Sequence, residues 1–185
     1  GSALPNDFGL FMQHACCTGN AARTLYWIWD SILTEEDGVS KVNLLLNRAS
    51  PRLDVDSYLP YEGKVVLKIK EAPQVAVRIP EWTDQEVVTC NVNGERREHS
   101  WSGSCVQVDG LRPGDTVKVE FPMREKTMFS VIGDKPFKLT IKGNTVVDID
   151  PQGEISPLYQ REHYKADKAP VKTVTRFASR EAIRW

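Results

Sequence analysis

From about residue 41 onward the chain is a succession of short alternating segments. Val42, Leu44 and Leu46 alternate with Asn43, Leu45 and Asn47, and Val65, Leu67 and Ile69 alternate with Val66, Lys68 and Lys70. Val75, Val77 and Ile79 alternate with Ala76 and Arg78 until Pro80 closes the run, and similar segments follow at 87–92, 105–108, 116–121, 137–141 and 145–149. A period of two sends one set of side chains to each face, so each segment predicts a half-buried strand. Between them stand Asn93-Gly94, Asp109-Gly110, Pro113-Gly114-Asp115 and Gly143-Asn144, residues that tolerate positive φ or pre-set a bend. In the tail, 165–170 reads as a loop and 171–177 (VKTVTRF) as a candidate last strand. Short strands with closely spaced turns predict a mainly β chain, an antiparallel, jelly-roll-like β-sandwich.

One segment follows a different period. In 18–34, Ala21, Leu25, Ile28 and Ile32 recur at helical spacing, with Ala22, Trp29 and Leu33 beside them. Thr18 is placed to cap this helix, and Glu36-Asp37-Gly38 is placed to end it. The division expected is residues 1–37 as the end of a helical domain and 38–185 as the β region. The helix is apolar over a wide arc, and no second strong helix accompanies it. Its partners are therefore expected upstream, in a longer parent protein; Gly1-Ser2 reads as a cloning remnant. Until partnered, the apolar stripe invites self-association.

Composition removes some classes of function. Of 185 residues, 41% are apolar and 26% charged, and 24 Lys+Arg against 25 Asp+Glu leave a net charge of −1. That balance offers no electrostatic reason to bind DNA, RNA or an anionic membrane. No apolar run approaches the roughly 20 residues of a membrane-spanning helix. Four cysteines occur. Adjacent Cys16 and Cys17 are poorly disposed to bond each other. Cys90 and Cys105 fall in strand segments, where they are either a disulfide or a pair of buried thiols.

The candidate chemistry lies in Ala15-Cys16-Cys17-Thr18-Gly19-Asn20-Ala21-Ala22-Arg23. Two thiols stand directly before the expected helix start, where exposed N–H groups and the dipole favour negative charge. His14 is near enough to bind metal or move a proton. A simple packed pair is the alternative, and a thiol redox or metal-sensing element is another. A zinc site usually needs four ligands, so further donors would have to come from outside the chain or from His14.

The same nonapeptide, Ala-Cys-Cys-x-x-Asn-x-Ala-Arg, resembles the end of the catalytic domain in the β-L-arabinofuranosidase family, glycoside hydrolase family 127 and its relatives. Lys41-Val42-Asn43-Leu44, Tyr61-Glu62-Gly63-Lys64-Val65 and Val77-Arg78-Ile79-Pro80-Glu81-Trp82 resemble that family's next segments in order, as do Val92-Asn93-Gly94 and the Pro113-Gly114-Asp115 turn. The resemblance runs over most of residues 8–160. It implies an (α/α)6 barrel followed by β-sandwich domains, with the helix here left over from the barrel. It implies retaining cleavage of arabinofuranosides by a zinc-bound cysteine, where most retaining glycosidases use a carboxylate. By motif position, Cys16 would be the nucleophile and also bind zinc, and Cys17 would be a zinc ligand. The glutamate acid/base and the remaining ligands, a glutamate and another cysteine, would lie upstream, so this chain alone is expected to be inactive. Thr18-Gly19 stands where the best-known members have Pro-Pro, and His14 where they have cysteine, which points to a divergent branch with its own sugar preference.

Other residues carry weaker signals. Trp82 and Trp101 could stack on sugar rings in a non-catalytic sandwich that holds glycan, or could simply pack. Asp148 and Asp150 share a strand face, either as a calcium or catalytic pair or as a solvated surface. His99 and His163 read as surface residues. No phosphate-binding loop, serine nucleophile elbow or zinc-protease motif is present.

Overall fold

The computed structural model describes residues 6–152, 162–176 and 178, with the side chains of residues 6–16 and 162 left aside. The chain opens with α1 (Asn6–Ser31) and continues through β1 (Leu33–Glu36), β2 (Val39–Val42), β3 (Arg48–Ala49), β4 (Leu53–Ser57), β5 (Lys64–Ile69) and β6 (Val75–Arg78). Then follow β7 (Thr89–Val92), β8 (Glu95–Arg96), β9 (Ser100–Ser102), β10 (Cys105–Val108), β11 (Thr116–Glu120), β12 (Glu125–Ile132), β13 (Lys135–Lys142) and β14 (Thr145–Asp150).

The strands form three sheets, ordered β1-β2-β6-β10-β9, β3-β4-β5-β11-β7-β8 and β12-β13-β14. The first two share one core. Val42, Val75, Val77, Val106 and Val108 of the first sheet lie in the same buried cluster as Leu53, Val55, Val65, Leu67, Val117 and Val119 of the second. The alternating segments drive this arrangement. In β5, Val65, Leu67 and Ile69 are buried while Val66 and Lys68 are not. All pairings are antiparallel except β2 with β6, which run parallel from Ser40↔Val75 to Val42↔Val77. A parallel neighbour needs a long crossover, and here the chain passes through β3, β4 and β5 of the second sheet before returning as β6. The first sheet is therefore mixed, not purely antiparallel as expected.

Four local expectations need correction. The helix does not begin at Thr18; it begins by Asn6 and ends at Ser31. The stretch between is free of proline, and Thr18-Gly19 weakens a helix by only about 1 kcal/mol at the glycine, too little to stop it among good helix formers. Asp37 and Gly38, at φ 53° and 79°, do not cap the helix. They form the tight turn of the β1–β2 hairpin, since two successive positive φ values match the strand twist; the boundary expected at 37/38 falls at this turn. Finally, 43–47 is loop, with Leu46 exposed, and 171–176 has no regular structure, although its β-branched residues suggested a strand.

The third sheet is a meander following β11. In β12, Phe129, Val131 and Ile132 are largely exposed, and pairing with β13 along its full length, Glu125↔Lys142 to Ile132↔Lys135, holds it as a strand. Lys142 is only 3% exposed, and its ammonium donates to Ala166 O at 3.1 Å and to the Asp167 carboxylate at 2.9 Å. This ties the segment after a short turn at Glu162–Lys165 to the third sheet. The same segment reaches the second sheet through Ala169 N–H to Glu62 Oε1 at 3.1 Å, and through Arg176 to Val55 O and the Asp56 carboxylate. No helix among the described residues is long and apolar enough to cross a membrane.

Candidate functional site

Cys16 and Cys17 lie in the interior of α1, three turns from its first residue. The helix-terminus reading of their reactivity therefore fails, because the dipole effect fades within the first turn. The helix dipole therefore gives a thiolate here no support. Cys17 is exposed; the side chains of Cys16 and His14 lie outside the described residues. At helical periodicity Cys17 shares a stripe with Ala21, Thr24 and Ile28, three and four residues apart, and all four are exposed.

The surroundings of that stripe are open. Leu25 is 67%, Trp27 56% and Ile28 41% exposed. Such a band of large apolar side chains is what a helix shows when a layer belongs on it. Among the described side chains of α1, the half-buried ones are Tyr26 and Asp30, which with Trp29 approach the sheets at the helix's C-terminal end. The Cys17 stripe thus points elsewhere than the β core.

Among the described residues, no group of three His, Cys, Asp or Glu side chains could hold a metal ion. A thiol is a soft donor that zinc accepts, but one described thiol is far from the four ligands of a closed site or the three of a catalytic one. The described residues therefore do not fit zinc by themselves.

The remaining cysteines are not paired with each other. Cys90 sits on β7 of the second sheet and Cys105 on β10 of the first, and both are free thiols. Cys90 is 1% exposed, and burial pushes its thiol up to about 11.

Neither tryptophan singled out in the β region offers an open platform. Trp82 and Trp101 are partly buried and pack against the core; Trp82 meets Phe121 edge to face at 5.6 Å, and Trp101 meets His99 at 5.7 Å. Trp82 also lines a cleft of about 640 Å³ with Leu44, Leu45, Leu46, Leu59 and Ile79, rimmed by Arg78 and Glu81. Among the described residues, none of α1 lines that cleft. Asp148 pairs with Lys165 at 3.4 Å and Asp150 is exposed, as on a solvated strand face. His163 lies against Tyr164, ring centroids 4.0 Å apart. Sequence reasoning missed Arg48, whose guanidinium carbon lies 3.1 Å from the centre of the Trp29 ring; no local pattern joins residues so far apart in sequence.

Residues 39–123 match the family model of the β-L-arabinofuranosidase GH127 middle domain. No curated protein matches the chain. Among solved structures, it is similar to a GH127 β-L-arabinofuranosidase from Geobacillus stearothermophilus T6, with a TM-score of 0.56 and 20% identity over 71% of this chain and 23% of that one. It is similar to a structure described as a glycoside hydrolase, with a TM-score of 0.54 and 20% identity over 71% of this chain and 24% of that one. A third, the GH127 β-arabinofuranosidase BT3674, gives a TM-score of 0.50 and 19% identity over 62% of this chain and 23% of that one. The chain thus spans about a quarter of the length of these structures, and at such identity they show the fold alone. The matched segment runs from β2 past β11 and holds nearly all of the first two sheets, so the likeness to the GH127 β-L-arabinofuranosidase middle domain lies in the two-sheet core of this chain.

Proposed function

We propose that this chain is part of a longer retaining glycoside hydrolase acting on arabinofuranoside-like sugars, with Cys16 as nucleophile and Cys17 beside it as a metal ligand. The observation that carries the proposal is the helix joined directly to a GH127 middle domain, with its exposed Cys17 on a stripe that faces away from that domain. The two-sheet unit and the third sheet act as scaffold, and α1 is the remnant of the helical barrel that the family resemblance implies.

The chemistry asked of Cys16 is displacement at the anomeric carbon. Its thiolate forms a carbon–sulfur bond as the glycosidic carbon–oxygen bond breaks, and the departing alkoxide takes a proton from an acid outside the described residues. Water, deprotonated by the same group, then breaks the carbon–sulfur bond and returns the thiolate; two inversions give retention. Zinc, when bound, would supply positive charge that keeps a thiol ionised at neutral pH. Because Cys16 is mid-helix, the helix dipole gives it no such help. The 185 residues alone would then be inactive.

Aryl arabinofuranosides given to the longer protein, with Cys16→Ala as control, test the proposal. Loss of turnover in that variant is expected; undiminished turnover removes Cys16 from the mechanism. A glycan-holding role for Trp82 and Trp101 has less support, because both side chains are committed to core packing.

A further inference from the structure

Among the described residues, contacts from two different sheets tie the β core to α1. The first is the end of β2. Asn43 N–H donates to Ile32 O at 2.9 Å, and its side-chain amide donates to Ser31 O at 3.2 Å and to Thr34 Oγ1 at 2.9 Å. These bonds hold the last carbonyls of the helix, and Ile32 beside them is 3% exposed. Alone they would leave a joint: a helix held at one end can still swing about that end.

The second contact lies off that point. Arg48 is fixed by its backbone in β3, opposite Val55 of β4 in the second sheet. Its guanidinium lies over the Trp29 ring, 3.1 Å from carbon to centroid. Burial pulls the guanidinium below its usual pKa, and the Asp30 carboxylate works against that pull. Arg48 Nε is buried without a hydrogen-bond partner, so the side chain bears a desolvation cost that the ring face and Asp30 offset. A partly desolvated cation over tryptophan is among the stronger contacts of its kind.

We propose that Arg48 is a positioning residue: stacked on Trp29, it sets the direction in which α1 leaves the β core, and so lets the middle domain fix where the Cys16–Cys17 turn stands. The lever is long. Cys17 lies twelve residues before Trp29, roughly 18 Å along the axis, so a tilt of about 10° carries the thiols roughly 3 Å. A displacement of about 1 Å is enough to cost a hundredfold in a catalytic step. The importance of this for catalysis rests on the reading of Cys16 given above; the joint itself does not.

The test measures the joint without any chemistry. Spin labels are placed on Cys17 and at Glu95→Cys, an exposed site on β8. Cys16→Ser and Cys105→Ser remove competing thiols, and Cys90 is too buried to label. Pulsed electron–electron distances in the 185-residue chain are expected to give one narrow distribution. Arg48→Ala should broaden or shift it by several ångströms, and Arg48→Lys, which keeps the charge but loses the flat stack, should fall between. Trp29→Leu, which leaves the β core untouched, should reproduce the broadening and stands in if Arg48→Ala fails to fold. A broad distribution in the starting chain, or an unchanged one in folded Arg48→Ala and Trp29→Leu, overturns the proposal whatever the fate of Cys16.

Discussion

Replacing Gly63 by alanine should be among the costliest single-methyl changes in the molecule. Gly63 is buried just before β5, and its carbonyl accepts the Phe121 N–H at 2.8 Å where β11 ends. A Cβ added there would stand 2.0 Å from Phe121 O, 2.8 Å from Phe121 Cδ2 and 3.0 Å from Phe121 C. The nearest atom is backbone, so no rotamer change relieves the clash. Phe121 cannot simply retreat, because it is 6% exposed and wedged against Trp82. Overpacking costs about 1–3 kcal/mol, and lengthening the Phe121 hydrogen bond costs about 1 more, so about 3 kcal/mol is expected. In a chain of this size that corresponds to a fall of roughly 6–12 °C in melting temperature. Urea titration followed by tryptophan fluorescence gives the free energy. Gly94→Ala is the control: its φ is +88° but nothing lies within 4 Å of the new methyl, so about 1 kcal/mol is expected from backbone strain alone. If Gly63→Ala costs no more than Gly94→Ala, the close approach of Gly63 to β11 is wrong.

Other outcomes follow from the same geometry. The Glu62 carboxyl is held below its usual 4.5, first by the hydrogen bond from Lys64 and also by the Ala169 N–H. A lowered folded pKa gives stability that is present above the unfolded value and is lost as pH falls through the folded one. The Ala169 amide should therefore lose hydrogen-exchange protection as pH drops below about 4.5, and Glu62→Gln should abolish that step. Cys90, raised from 9.0 to about 11 by burial, should stay silent to a thiol reagent at pH 8 while Cys17 reacts, and should appear only on unfolding; the stability it gives as a neutral thiol should fade as pH rises from 9.0 toward 11. Trp82→Ala should cost about 3 kcal/mol of stability, measured by denaturation, with no glycan affinity to lose; binding of a soluble glycan that this variant abolishes would restore the recognition reading.

The β core was legible because burial imprints itself on sequence. Val65, Leu67 and Val117, all 0% exposed, recur at period two because one face of each strand meets the other sheet. Where that pressure is absent, alternation is lost or misleading. Nearly every side chain of β12 is exposed, and its partner β13, not its own pattern, makes it a strand. Leu44 to Leu46 carry an apolar run yet form a loop, because they line a cleft and have no ladder neighbour. In α1, Thr18 looked like a start because threonine is a favoured N-cap, but the turns on either side carry the helix through. The Cys16–Cys17 pair was found by its resemblance to a family motif. The exposure of Cys17, and the stacking of Arg48 on Trp29, are tertiary facts that no local spacing encodes.

The central claim is that the sulfur of Cys16 attacks the sugar. The most direct measurement is mass spectrometry of the longer protein after incubation with an arabinofuranosyl-directed electrophile that traps the nucleophile. The expected result is one sugar-derived adduct on the peptide containing Cys16, absent in Cys16→Ala. An adduct on a carboxylate side chain, with turnover intact in Cys16→Ala, would contradict it.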